Sequence, residues 1–143
     1  MEKFLGKYEP YIYALLRIVT GFLFLWHGSQ KLLGFPPQQT PPGSAPQGLS
    51  TMMAIAGTIE LVGGILILIG LFAGFAGFLA SGLMAAAYFT AHFSMQAFLP
   101  LQNRGELAAL YCFVFLYIAA RGSGVWSVDS LLNRNKPRMV DET

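Results

Sequence analysis

Residues 20–35 read TGFLFLWHGSQKLLGF. Seven of the first eight residues after Thr20, up to Gly28, are apolar, aromatic or glycine, as in the end of a membrane-spanning helix. Yet His27, Ser29, Gln30 and Lys31 follow before any turn signal appears. A Lys or Arg at the centre of a membrane helix costs about 2.5–3.5 kcal/mol on insertion scales, and such groups turn toward the interior of a helix bundle and pair there. The stretch therefore predicts a membrane helix whose inner face carries ionisable groups. The other helices must supply their partners.

Composition agrees with a membrane protein. The 143 residues suit one domain, with 55% hydrophobic and 11% charged residues against about 25% charged in an average soluble domain. The net charge is +2, and the basic residues form no stripe of the kind that binds nucleic acid. Cys112 is the single cysteine. It forms neither an intrachain disulfide nor a C-x-x-C pair, so any redox role would need a bound cofactor or a partner.

Working outward, Pro10 suits the first turn of a helix, and residues 11–33 are long enough to cross the roughly 30 Å hydrocarbon core. That length, with no small-residue cleavage site after Trp26, reads as a span rather than a signal peptide. Tyr8, Tyr11 and Tyr13 suit an interfacial belt. Residues 35–50 carry five prolines and no charge, and read as a loop outside the membrane. Ser50 or Thr51 would cap the next helix. From Leu61 to Ala91 no residue is charged. As one helix this would run roughly 46 Å, so glycines near Gly70 and Gly74 are expected to split it into spans 51–71 and 74–98. Gly57 and Gly64, a heptad apart, and Gly77, Ser81 and Ala85, four apart, are expected packing positions, because small residues let helix backbones approach in lipid. Pro100 and Asn103 mark a turn. The fourth span covers about 105–121, residues 125–132 suit a short interfacial helix, and 134–143 form a polar tail. The expected fold is all-α: a four-helix transmembrane bundle spanning residues 1–133.

Four spans put both termini on one side. Lys3, Lys7, Arg121, Arg134, Lys136 and Arg138 gather there, against Lys31 and Arg104 opposite. The positive-inside rule then makes both termini cytoplasmic. His27 and His92 fall roughly 9 Å inside the outer ends of spans one and three. Glu60 lies in the outer half of span two, and Glu106 opens span four. His27 and Lys31 share a face as i and i+4, with Arg17 near that face but deeper. Glu106, Leu110, Phe113 and Tyr117 share a face of span four, which would set the Tyr117 phenol below a carboxylate. These spacings define a candidate polar pocket of His27, Lys31, Glu60, His92, Glu106, Arg17 and Tyr117. Three readings of it stand side by side. It is an ion-pair network that locks the helices, with Glu60 on Lys31 or a histidine and Glu106 on Arg104 or Lys31. Or it binds a small amphipathic molecule such as a quinone head group, with which histidine and carboxylate exchange protons. Or His27 and His92 ligate haem, or a transition metal together with Glu60; two isolated histidines make this the weakest of the three.

The residues Arg17, Gly21, Phe24, His27, Gly28, Lys31, Leu32, Gly34 and Phe35, followed by Glu60, Gly63 and Gly64, then by Asn103, Gly105, Glu106, Leu110 and Tyr111, and last by Gly122, Gly124, Ser127 and Asp129, stand in the order and spacing of a known pattern. They resemble the DoxX family of bacterial membrane proteins over about residues 13–131. Arg104 replaces the second glycine of that family's N-G-G-E turn. The resemblance implies a multi-pass protein of the bacterial cytoplasmic membrane linked to redox biology, as a subunit or accessory of a quinone-linked system, and an enzyme only together with a partner protein. The family has no agreed catalytic residues to carry over. A non-catalytic scaffold, and a small permease that homo-oligomerises through its glycine faces, are the alternatives.

Overall fold

The structure, a computed structural model, describes residues 1–37 and 48–134. Most of the proline-rich loop and the polar tail lie outside the described residues. The described chain folds into helices: α1 (Glu2–Leu5), a 3₁₀ turn (Gly6–Tyr8), α2 (Glu9–Leu33), α3 (Thr51–Ile69), α4 (Ala73–Ala87) with a π turn at Tyr88–His92, α5 (Pro100–Asn103), α6 (Glu106–Arg121) and α7 (Val128–Arg134). Three continuous helical stretches, Glu2–Leu33, Thr51–Ile69 and Ala73–His92, are long and apolar enough to cross a membrane. At 16 residues, α6 is about 24 Å long.

The helix boundaries follow local chemistry. Pro10 sits in the first turn of α2, where its missing N–H costs nothing. Gly34, in the left-handed conformation, ends that helix. Ser50 caps α3, its Oγ accepting from the Met53 N–H at 3.2 Å. Gly70, at φ +70°, stops α3, and α4 begins three residues later. The expected break is thus at Gly70, while Gly74 lies inside α4 against the Ala119 carbonyl of α6. The third long stretch is shorter than expected. It ends at His92, so His92 stands at a helix terminus. The π turn closes with the Phe93 N–H on the Tyr88 carbonyl. Residues beyond it form a tight turn, and Pro100 starts α5.

Packing follows small residues on both sides of each seam. α2 lies along α3, α3 along α4, and α4 along α6. Gly21 and Gly28 of α2, themselves a heptad apart, press against the α3 backbone near Leu68 and Leu61. From α3, Gly64 presses back against Leu25, and Gly57 against Leu32. The heptad glycines anticipated on α3 therefore have matching glycines on α2. On the other seam Gly77 meets the α6 backbone at Phe115 and Ala119, and the Ser81 hydroxyl donates to the Cys112 carbonyl at 2.9 Å. Ala85 is only half-buried. Phe24, Ile67, Phe115 and Ile118 fill the centre. With no hydrophobic drive between helices in lipid, it is this backbone proximity and dispersion contact that hold the seams.

The face assignment of α6 is a correction. Glu106, Leu110, Phe113 and Tyr117 do share a face, but it is the exposed one. The buried face is Ala108, Tyr111, Phe115 and Ile118. Tyr13 is corrected as well. Rather than standing in an interfacial belt with Tyr8 and Tyr11, it is buried. It donates to the Gly122 carbonyl, its ring stands edge-on to Tyr117 at 5.6 Å, and the Arg121 guanidinium lies 4.7 Å above it. Arg121 also pairs with Glu9 at 2.7 Å, joining the start of α2 to the end of α6.

Candidate functional site

At the end of the molecule away from that pair, the helices leave a cavity of about 220 Å³. α2 lines it with Phe24, His27 and Lys31, α3 with Glu60, and α4 with Met84 and Ala87. His92 comes from the π turn, Arg104 from the turn before α6, and Leu107, Ala108 and Tyr111 from α6 itself. Four of the residues singled out from the sequence thus meet here: His27, Lys31, Glu60 and His92. Glu106, Arg17 and Tyr117 do not.

Glu60 is the most buried ionisable group on this wall, 3% exposed. Its Oε1 accepts from Lys31 Nζ at 2.5 Å, and the Lys31 side chain is 32% exposed. Its second oxygen, Oε2, is buried without a hydrogen-bond partner among the described residues. A buried acceptor left without a donor costs about 1–3 kcal/mol, more when charged. The unpartnered oxygen is therefore a place where a donor from outside the protein would be well received.

His92 is oriented by the turn beside it. Its Nδ1 lies 3.1 Å from the Asn103 carbonyl. A carbonyl only accepts, so Nδ1 carries the hydrogen, and in the neutral ring Nε2 keeps its lone pair. Asn103 is itself braced: its Nδ2 donates to the Ala97 carbonyl at 3.0 Å, and its Oδ1 accepts from the Gly105 N–H at 2.8 Å. The π turn at the end of α4 delivers His92 to the cavity. His27 is exposed, its ring 6.3 Å from that of Tyr111. Arg104, at φ +58°, has no carboxylate within ion-pair distance among the described residues.

Arg17 does other work. It is fully buried about ten residues, roughly 15 Å, from His27 along α2. Its Nη1 donates to the Ile67 and Leu68 carbonyls at 2.7 and 2.8 Å, and its Nη2 to those of Trp126 and Val125 at 2.7 and 3.3 Å. It therefore adds donors to two carbonyls in the last turn of α3, Ile67, which also accepts from the Gly70 N–H, and Leu68, sits at the negative end of that helix dipole, and ties the 122–127 turn to the helices. Asp129 completes this end, its Oδ2 accepting from the Phe72 N–H and the Ser123 hydroxyl. Tyr117 stands near it, against Tyr13. Glu106 is on the exposed face of α6 and pairs with neither Arg104 nor Lys31. Two polar lining residues escaped the sequence reading as pocket members, Arg104 and Tyr111. The only signal for them was their presence in the asparagine–glycine–glutamate turn and the leucine–tyrosine pair after it. Among the described residues no three His, Cys, Asp or Glu side chains come close enough together to hold a metal ion, so His27, His92 and Glu60 line one cavity without forming a ligand set.

A helical membrane protein with a cavity at one end that carries ionisable side chains is the class these features define. Residues 12–93 match the DoxX family model, and the chain belongs to that family. An uncharacterized protein of Haemophilus influenzae is 44% identical over 128 residues, covering 88% of this chain and 94% of that protein. A Bacillus subtilis protein named "Putative oxidoreductase CatD" is 29% identical over 123 residues, covering 85% of this chain and 87% of its own length. No solved structure matches.

Proposed function

We propose that this chain is a four-helix, multi-pass protein of the bacterial cytoplasmic membrane, with both termini inside, and that its outer cavity binds the ring of a quinone for a membrane redox system. The observation that carries the reading is the half-satisfied carboxylate of a residue that lines the cavity: Glu60 is held by Lys31 through one oxygen, and its other oxygen is buried without a partner among the described residues. At about 220 Å³ the cavity is smaller than the roughly 300–1,000 Å³ pockets that enclose a whole drug-sized ligand, and suits one substituted ring. A quinol hydroxyl is the donor that Glu60 Oε2 lacks. Arg104 and the Lys31 ammonium supply donors for a ring oxygen, and His92 Nε2 offers a proton acceptor. Phe24, Met84 and Tyr111 line the cavity with apolar surface. The name of the B. subtilis relative supports a redox role in that protein. Here the electrons would pass to or from a partner protein, because the chain's one cysteine, Cys112, has no second thiol with which to form a redox pair.

The cytoplasmic placement of both termini rests on the basic residues Lys3, Lys7 and Arg121 at the end opposite the cavity, where the Arg121–Glu9 pair lies. The test of the pocket is titration of the purified protein with ubiquinone and menaquinone, read by quenching of its intrinsic fluorescence. Saturable binding that is lost in Glu60→Ala is expected. Absence of saturable binding, or binding unchanged in Glu60→Ala, refutes the pocket and leaves Lys31–Glu60 as a lock between α2 and α3.

A further inference from the structure

Three of the four sides of the helix assembly are closed by neighbouring backbones, α2 on α3, α3 on α4 and α4 on α6. The fourth, between α2 and α6, is closed differently. There the helices meet through rings: Tyr13 on Tyr117 at 5.6 Å, Phe24 on Phe115 at 4.5 Å, and Phe24 and His27 toward Tyr111 at 5.7 and 6.3 Å. The cavity lies at one end of this seam. A residue that both lines a cavity and is exposed stands at its mouth. His27 of α2 and Leu107 of α6 are such residues, Leu107 being 51% exposed. Further from that mouth on the same two helices lie Leu23 and Leu110, both exposed and apolar. His27 is six residues, roughly 9 Å, inside the end of α2. The opening therefore runs from the lipid interface down into the hydrocarbon level.

From this geometry we infer that the ligand enters sideways from the bilayer through a portal between α2 and α6, and that it is a membrane-dissolved molecule whose apolar tail stays in the seam, over Leu23, Leu107 and Leu110, while its ring occupies the cavity. The inference rests on the pocket proposed above and adds the route and the need for a tail. The cavity holds a ring and has no room for a tail. The exposed leucines give the tail an apolar bed outside it. Arg104, which is exposed and also lines the cavity, marks where a tail-less ring would approach from the aqueous side.

The test uses the full-length protein in liposomes and two probes, a decyl-substituted benzoquinone and the same ring without the decyl chain, with binding followed by fluorescence quenching. Leu110→Trp fills the seam outside the cavity lining. Leu101→Trp adds the same bulk at an exposed position on α5 outside the cavity. Retained helicity and melting temperature establish that both variants fold. The expected result is at least tenfold slower association of the decyl probe with Leu110→Trp, less than twofold change for the tail-less probe, and no change for either with Leu101→Trp. Equal effects of Leu110→Trp on both probes, or no effect on either, overturn the portal and leave the pocket standing. Failure of both probes to bind the unaltered protein overturns the pocket, and the portal with it.

Discussion

Consider Gly28→Ala. A Cβ at position 28 would lie 2.3 Å from the Leu61 nitrogen, 2.6 Å from the Gly57 carbonyl oxygen and 2.8 Å from the Leu61 Cα. Ordinary van der Waals contact begins at 3.4 Å, so the methyl is about 1 Å too close. All three obstructing atoms belong to helix backbone, which cannot rotate aside as a side chain can. Helix α3 must therefore move off α2 by about 1 Å at this level. A gap of 0.5–1 Å forfeits about a quarter to a half of each dispersion contact along the seam, and overpacking of a tight core typically costs about 1–3 kcal/mol. The displaced residue 61 adjoins Glu60, and Lys31 lies three residues beyond position 28. The 2.5 Å Lys31–Glu60 contact is stretched toward 3.5 Å, which weakens it further. Together these give a loss of about 2–4 kcal/mol, or roughly 6–12 °C in melting temperature at about 3 °C per kcal/mol for a chain of this size.

The same seam holds its own controls. At Gly57 the nearest atoms are side-chain carbons of Leu32 and Lys31, from 2.9 Å, and these can yield, so Gly57→Ala should cost less. At Gly63, in the interior of α3, a Cβ meets nothing within 4 Å. Gly63→Ala should then stabilise by about 0.5–1 kcal/mol through helix propensity alone. The assay is thermal unfolding of the three variants in one detergent, with quinone binding measured alongside. Glycine 28 tolerating alanine as well as glycine 63 does would show that the α2–α3 seam is not backbone-limited.

Two further substitutions probe the buried charges. Arg17→Met removes four hydrogen bonds from a charged donor, each contributing about 1.5–3 kcal/mol, offset by relief of a guanidinium desolvation of several kcal/mol. A net loss of about 2–5 kcal/mol is expected, together with faster proteolysis of the 122–134 segment and quinone binding unchanged at temperatures where the variant is folded; a melting temperature equal to the parent's would contradict the clamp. Lys31→Met strands the buried Glu60. Loss of one partner of a fully buried pair costs about 3–5 kcal/mol and of a surface pair under about 1, so this one-third-exposed lysine should cost about 2 kcal/mol. The double variant Lys31→Met with Glu60→Met should recover most of that, and a double variant no more stable than Lys31→Met alone would refute the pairing energy.

Three long apolar helices, the Ser50 cap, the turn at Gly70 and the α3 glycines of the α2–α3 seam were legible in the sequence. Each depends on properties of neighbouring residues: hydrophobic length, a side-chain acceptor, a position that tolerates positive φ, a missing Cβ. Lys31 and Glu60 were legible as a candidate pair, because a charge in an apolar helix must find an opposite one. The inward face of α6 was not. Helix α6 is apolar on both sides, so periodicity carries no signal to separate the face toward Phe24 from the exposed one. Tertiary structure alone decided that Tyr111 and not Tyr117 enters the cavity, and that Glu106 stays outside. It alone gave Arg17 its task too, since that side chain is satisfied by backbone carbonyls of Ile67, Leu68, Val125 and Trp126. Every residue supplies such a carbonyl, so the acceptors leave no mark in the sequence. Only the folded chain brings these four within reach of one guanidinium.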